Sequence, residues 1–295
     1  MTAHRNYIDS SEYVRFGLSV STTVEQVNNA SDTVDAYINR PEGLLWEPDS
    51  LGAPLCMVRK QSESPRTLVS GILAGTNVPA TFSPGPIICV GEAVVLNRAK
   101  LNGNASELCY VASVQGNTVV LAQVIGAHLA AESVELGLVI DETIALSKNR
   151  NVATVGKGPI ARLVSVVGRT SYGRRGNSVN AVSDVFGAAP LWRAVPVTSS
   201  DVDKTTGQIW CSTGALMLPY TEVRVVYVAG YVVKSLPSQV KQATANVVRA
   251  IAESPATANV KTYRAGETQM ERFLDSVIDG DTRNILAPYM ASYFG

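Results

Sequence analysis

The chain changes from strand to helix within the stretch VRVVYVAGYVVKSLPSQVKQA, residues 223–243. Its first half is rich in β-branched residues and predicts a strand over Glu222–Val228. Pro237 then suits the first turn of a helix. Beyond it, apolar and mostly small residues recur with the period of one helix face: Val240, Ala243, Val247, Ala250 and Ile251. The sequence therefore predicts a C-terminal helix that another helix can approach closely.

Helical patterns also occupy the two ends of the chain. Asp9 and Glu12 have the spacing of a capping box, which predicts a short helix that ends at Gly17. A second helix is predicted from Thr22, with Glu25 in the corresponding position, to the stop at Pro41. Further C-terminal helices are predicted over Gln269–Val277 and over the residues that follow Asp279–Thr282. Two short helices cannot bury their apolar faces alone, so the N-terminal pair must dock elsewhere.

The middle of the chain has the pattern of a β protein. Short apolar runs alternate with turn signals, and the clearest hairpin joins Leu108–Val114 to Thr118–Val124 through Gly116. Further strands are predicted at Ile87–Leu96, Ile160–Val167, Trp192–Thr198 and Gln208–Cys211. Strands at this spacing favour a barrel or a sandwich. The predicted fold is α+β, with a discontinuous helical core from residues 1–42 and 220–295 and a β-rich, barrel-like or sandwich-like insertion over 43–219.

Composition narrows the classes of function. Charged residues make up only 17%, against about a quarter in most soluble domains, so the chain has a large interior or covers its surface with partners. The 25 basic and 25 acidic residues balance, so the whole chain does not indicate a polyanion partner. No apolar run reaches the roughly 18 residues of a membrane span. Four cysteines without a C-x-x-C pair are expected to be small buried residues: Cys56, Cys89, Cys109 and Cys211.

Catalytic and metal-binding patterns are weak. With only His4 and His128, no Ser/His/Asp or Cys/His set can be assembled, and His128 is expected to be structural. Residues 156–161 lack the Gly-Lys-Ser/Thr ending of a phosphate loop. The segment Asp201–Gly207 alternates like a calcium loop, but its glycine falls one place late and Ser212 stands where a glutamate is needed, so a polar hairpin turn is favoured. We therefore expect no enzyme activity, no cofactor and no metal.

Two segments are candidate contacts with partners. Residues 147–183 contain seven basic side chains and no acidic one: Lys148, Arg150, Lys157, Arg162, Arg169, Arg174 and Arg175. They indicate either a solvated loop or a contact with an acidic protein surface or with DNA phosphates, and we favour a protein contact. The chain closes on three aromatic residues that either pack into its own core or dock on a neighbour: Tyr289, Tyr293 and Phe294.

The ends also carry motifs of a known family. Tyr7-Ile8-Asp9 leads to Gly17-Leu18, and Ala30-Ser31 precedes Tyr37-Ile38; the strand end Tyr227-Val-Ala-Gly-Tyr231 and the closing Leu286-Ala-Pro-Tyr289 follow in order. Together they resemble the head–tail connector (adaptor) proteins of long-tailed bacteriophages. The segment from Val90 to His128 more weakly resembles β modules of phage virion proteins. The large β insertion departs from the smallest connectors, which are nearly all helix.

The resemblance implies a structural virion protein of the neck, made in the host bacterial cytoplasm. It implies a homo-oligomeric ring, a dodecamer, that binds the portal protein and a tail or stopper/terminator protein, and through which DNA passes without sequence-specific binding. One alternative is a tail-completion or capsid-decorating virion protein. Another, of a different class, is a β-rich hydrolase or carbohydrate-binding module.

Overall fold

The computed structural model describes residues 6–60, 62, 65–85, 87–146, 151–169, 192–211, 220–253, 262–265, 268–271 and 278–292. The helices in these ranges are α1 (Val24–Tyr37), α2 (Ser238–Glu253) and α3 (Gly280–Leu286). The first strands are β1 (Trp46–Pro48), β2 (Pro54–Met57), β3 (Arg66–Leu68), β4 (Gly75–Ser83), β5 (Ala93–Leu96), β6 (Glu107–Gln115), β7 (Thr118–Val124), β8 (Ser133–Leu136) and β9 (Ile140–Ala145). The others are β10 (Val152–Thr154), β11 (Ile160–Arg169), β12 (Arg193–Ala194), β13 (Val202–Asp203), β14 (Gln208–Trp210), β15 (Glu222–Ala229), β16 (Thr262–Ala265) and β17 (Thr268–Glu271).

The chain is mixed α+β and divides into two compact units. One, the helical unit, contains the chain up to Leu45 and from Tyr231 to Ala291. The other, the β unit, contains Trp46–Gly230 together with the last residues from Ser292. No helix among the described residues combines the length and apolar character needed to cross a membrane.

Local capping signals set the start of the helical unit. Asp9 and Glu12 form the capping box that the sequence predicts. The short helix after it is two successive 3-10 turns, Ser10–Glu12 and Val14–Phe16, and Gly17 ends it with a left-handed φ of 71°. A segment this short closes tight i→i+3 turns more readily than a full α-helix.

The predicted start of α1 was wrong by one residue. Thr23, not Thr22, is the N-cap, because its hydroxyl accepts the backbone N–H of Gln26 at 3.2 Å. The Gln26 side chain in turn accepts the backbone N–H of Thr23 at 2.9 Å. An amide at the third position completes the capping box as well as the carboxylate of Glu25 would have done.

Helices α1 and α2 pack against each other and form the core of the helical unit. Their facing side chains are fully buried: Val27, Ala30 and Val34 from α1, and Val240, Ala243 and Val247 from α2. Lys241 of α2 reaches Glu12 with an Nζ–Oε2 distance of 2.7 Å. The chain ends are therefore held together by small apolar contacts and one ion pair.

The predicted helix over Gln269–Val277 was wrong where the structure describes it. Residues Thr262–Ala265 and Thr268–Glu271 instead pair as the antiparallel hairpin β16–β17. Residues 272–277 lie outside the described part of the chain.

The β unit is built on a closed six-stranded barrel with the order β3-β4-β7-β6-β5-β8. Its hairpin β6–β7 pairs as predicted, with Gly116 at a φ of 59° in the turn. Inward-facing apolar side chains fill the barrel, among them Leu96, Val111, Leu121 and Val134. A second core lies around the four-stranded sheet β12-β11-β15-β9, and smaller sheets β10-β14-β13 and β1-β2 complete the unit. The barrel is one of the two β architectures that the sequence predicts.

Two predicted strands were too long. Only Ala93–Leu96 of the predicted Ile87–Leu96 pairs as β5, because Gly91 turns the chain with a φ of 86°. Of the predicted Trp192–Thr198 only Arg193–Ala194 pairs, against β11. A run of apolar residues indicates that a segment is buried, but it does not show where the segment ends its pairing with a neighbouring strand. That end is set by the backbone hydrogen bonds between the strands.

The α1–α2 contact generates a stability prediction. Ala243→Leu adds three heavy atoms where α1 lies against α2, so overpacking is expected to cost about 1–3 kcal/mol in the free energy of unfolding. Urea unfolding followed by helical circular dichroism measures this cost.

The matched control is Ala252→Leu, an exposed position of the same helix. It is expected to change the free energy of unfolding by no more than about 0.5 kcal/mol. Equal effects of the two variants would contradict close packing at Ala243.

Candidate interaction surface

Three loops meet at one end of the barrel. They join β3 to β4 (residues 69–74), β5 to β6 (97–106) and β7 to β8 (125–132). All barrel neighbours are antiparallel, so connections that follow β3, β5 and β7 emerge on the same side. Their sequences consist mostly of Ala, Gly, Leu, Ile and Asn rather than charged residues.

These loops expose large apolar side chains, which we call the tip surface: Val69, Leu73, Leu101, Ile125 and Leu129. Leu73 is 76% exposed and Ile125 is 68% exposed. Lys100 is the only charged side chain of the three loops that is classed as exposed. Single exposed apolar residues are common on protein surfaces, but a group concentrated on adjacent loops is a candidate interaction site.

A buried polar network holds the tip surface in place. His128 is 2% exposed and lies between two carboxylates. Its Nδ1 is 2.8 Å from Glu132 Oε2 and its Nε2 is 3.3 Å from Glu107 Oε2. Burial by itself lowers the pKa of His128, but the hydrogen bonds to Glu107 and Glu132 outweigh it and raise the pKa above its ordinary value of 6.5. The imidazolium therefore joins strand β6 to the loop after β7.

The two glutamates bind the loop backbone as well. Glu107 accepts the N–H groups of Ile125 at 2.6 Å and Gly126 at 3.0 Å. Glu132 accepts the side-chain amide of Asn104 at 2.6 Å, which links it to the β5–β6 loop. Burial by itself raises the pKa of both carboxyl groups. The hydrogen bonds from these donors and from His128 have the larger combined effect, so each pKa lies below its ordinary value of 4.5.

Backbone contacts fix the third loop. Ile72 and His128 exchange both of their backbone hydrogen bonds at 2.9 Å. A Cβ on Gly71 would lie 3.1 Å from the His128 carbonyl oxygen, closer than most such contacts. Glycine at this position lets the β3–β4 loop approach the β7–β8 loop, so all three loops form one surface.

The His128 network holds the three loops together. Both ring nitrogens of His128 face glutamate oxygens, so neither is available to a substrate proton. No cluster of three or more His, Cys, Asp or Glu side chains in the described ranges is arranged to hold a metal ion. A groove of about 380 Å³ between β6 and β11 is lined by no acidic, basic or histidine side chain.

The basic candidates are only partly described, and the three that are described lie on β11 or on the loop between β10 and β11. Arg169 on β11 pairs with Glu222 and lies 4.6 Å from the centre of the Trp192 ring. Arg162 donates to the Pro54 carbonyl at 3.4 Å, and Lys157 is partly exposed between β10 and β11. The remaining four fall outside the described residues: Lys148, Arg150, Arg174 and Arg175.

The aromatic end is described only at its first residue. Tyr289 donates from its hydroxyl to Gln239 Oε1 at 3.0 Å, so this side chain contacts α2 of its own chain. Tyr293 and Phe294 lie outside the described residues. The Tyr289 contact agrees with packing on its own chain, the first of the two interpretations.

Two smaller expectations have clear outcomes. The segment Asp201–Gly207 forms the hairpin turn between β13 and β14, where Asp203 accepts the N–H of Thr205 at 2.9 Å. This confirms the polar turn. The expectation of four buried cysteines was wrong for Cys89, which is exposed because it lies in the irregular segment before Gly91.

The tip surface was not predicted from the sequence. The segment that ends at His128 was compared only with β modules of virion proteins, and no contact was assigned to it. The available signal was the composition of the β7–β8 loop, Ile-Gly-Ala-His-Leu-Ala-Ala-Glu over 125–132, which is apolar where a loop is ordinarily polar.

Comparison with known proteins adds no family. No protein-family model matches the chain, and no curated protein matches its sequence.

The His128 network predicts a pH dependence of stability. Because the folded-state pKa of His128 is raised, its stabilisation is complete below about pH 6.5 and is lost as pH rises through the folded-state value. The lowered pKa values of Glu107 and Glu132 give stabilisation that is present above about pH 4.5 and lost as pH falls. Thermal unfolding at a series of pH values should show both losses.

The variant His128→Gln tests the loss of stability that is expected as pH rises. Its melting temperature should fall furthest below that of the wild type between about pH 4.5 and pH 6.5, and the difference should shrink at higher pH. His4→Gln, at the only other histidine, is the control and should follow the wild type. A His128→Gln deficit that is constant across pH would contradict a charged imidazole in the network.

Proposed function

We propose that this protein is a structural virion protein, a ring-forming head–tail adaptor that links the portal to the tail or to the next neck ring. The observation that carries the proposal is the tip surface. A rigid, nearly uncharged apolar patch at the end of a barrel gains free energy only when another protein covers it. The motifs at the chain ends, which resemble phage connectors, supply the class of partner.

The barrel supports a role in assembly because of how it is closed. Each of its strands pairs with two neighbours, so no barrel edge is left for strand addition by another chain. Strand addition to the barrel is therefore excluded, whereas the apolar loops at one end offer a surface that a partner can cover. In our proposal this end meets an adjacent ring or the portal.

The helical unit is proposed to be the discontinuous connector core. The packing of α1 against α2 supports this, since it joins segments from both chain ends. Three valines at the start of the unit are exposed and suit contacts between neighbouring subunits: Val14, Val20 and Val24. Such contacts would be heterologous and would close a ring by cyclic symmetry, with twelve copies by family resemblance.

The basic segment and the aromatic end remain secondary contacts in this proposal. Arg169 and Arg162 are engaged within the chain, and the basic segment 148–175 is proposed to contact an acidic protein surface. DNA would pass through the ring without sequence-specific contacts. Tyr293 and Phe294 would dock on a neighbour.

The test removes the apolar character of the tip surface. Leu73→Glu with Ile125→Glu places two charges on side chains that are exposed in the single chain, so the fold is expected to persist. Burial of a leucine or isoleucine stabilises an interface by about 1.5–3 kcal/mol, so portal binding should weaken at least tenfold. Pull-down with the portal and sedimentation of the complex measure this, and particles should accumulate as DNA-filled heads without tails.

The matched control is Leu51→Glu, because Leu51 is 87% exposed in the turn between β1 and β2. This variant should bind the portal and yield tailed particles. Normal assembly by the tip variant, at an unchanged melting temperature, would refute the tip surface as the contact.

A further inference from the structure

A cavity of about 220 Å³ lies within the β unit, away from the tip surface. Its apolar wall is formed by Ile87, Ala93, Leu136, Val139 and Val226. Its charged lining consists of Lys60, Arg66, Glu92 and Asp141. The volume is below the roughly 300–1,000 Å³ of sites for drug-sized ligands, so it suits a ligand of a few heavy atoms.

Arg66 is the unusual member of this lining. It begins strand β3 and is only 8% exposed. Its Nε and Nη1 atoms are buried and have no hydrogen-bond partner among the described residues. An arginine keeps its charge at any ordinary pH, and a buried charge is costly without a partner. The guanidinium is therefore a charged donor that lines a cavity and lacks an acceptor.

The other charged groups of the cavity are already engaged. Arg224 pairs with Glu92 at 3.4 Å and also with Asp141, so both carboxylates have a cation. Lys60 donates to the Val139 carbonyl at 2.8 Å and retains two further N–H donors. Among the described residues, the three cations Lys60, Arg66 and Arg224 lie near two carboxylates, so one positive charge has no described counter-charge.

We propose that this cavity binds the carboxylate group of a small organic acid or of an acidic side chain. Arg66 is the charge partner of that carboxylate, and Lys60 is a second donor. The apolar wall receives the short aliphatic part of the ligand. A phosphate or sulfate dianion would bring a second negative charge next to Glu92 and Asp141, so a single carboxylate is favoured.

The experiment measures thermal unfolding of the full chain with butyrate in place of chloride at constant pH and ionic strength. We expect a saturable rise in melting temperature, because a ligand that binds only the folded state stabilises it. Arg66→Met should weaken the apparent affinity at least tenfold, and Lys60→Met about threefold. Inorganic phosphate is the comparison anion and should raise the melting temperature less than butyrate does.

Arg66→Met also tests the free protein. Methionine replaces an unpaired buried charge with an apolar side chain of similar length, so the melting temperature without ligand should stay equal or rise. Arg193→Met, at an exposed arginine of the same unit, is the control and should leave the butyrate effect unchanged. A large fall in melting temperature for Arg66→Met would mean that Arg66 has a structural partner, and this would overturn the proposal.

A second probe distinguishes the two sources of the carboxylate. A rise in melting temperature with butyrate but not with capped glutamate (N-acetyl-Glu-amide) identifies a small-molecule site. A rise with capped glutamate identifies a site for an acidic side chain of a partner. A rise with neither compound, or a larger rise with phosphate, overturns the proposal. The tip-surface variants do not alter this cavity, so its failure and the failure of the adaptor function are separate results.

Discussion

Closure of the six-stranded barrel is the constraint on which the β unit depends. Strand β3 pairs with both β4 and β8, so no strand of the barrel has an unpaired edge. The barrel therefore encloses one apolar core and leaves no backbone hydrogen-bonding edge for another chain. The same closure gathers alternate loops at one end. Those loops can then be apolar without exposing a strand edge to aggregation, and they become the surface most suited to a partner.

An apolar loop surface needs an internal support, and here the support is polar. Ordinary loops are held by polar contacts with water, whereas the tip loops are held from inside by His128, Glu107 and Glu132. The carboxylates gain backbone and side-chain donors as well as the imidazolium, so their burial is compensated. The network fixes the three loops relative to one another, and in the proposed function this would lower the entropy cost of association.

The cavity at Arg66 differs from the tip network in one physical respect. At the tip each buried charge meets an opposite charge within the chain. At Arg66 the guanidinium lacks such a partner in the described structure, although Arg224 nearby has two. This unpaired buried charge is the observation on which the proposed carboxylate site rests.

The sequence by itself determined the features that depend on residues close together in the chain. These are the capping box at Asp9, the β6–β7 hairpin around Gly116, the polar turn at Asp203 and the mixed α+β content. The sequence could not determine that the loops after β3, β5 and β7 share one end, because this follows from strand order in a closed barrel. Nor could it pair His128 with Glu107, which lies 21 residues away, or show that Arg66 Nε and Nη1 are buried without a hydrogen-bond partner among the described residues. Those relations arise from long-range strand register, and only the tertiary structure decides which charges meet.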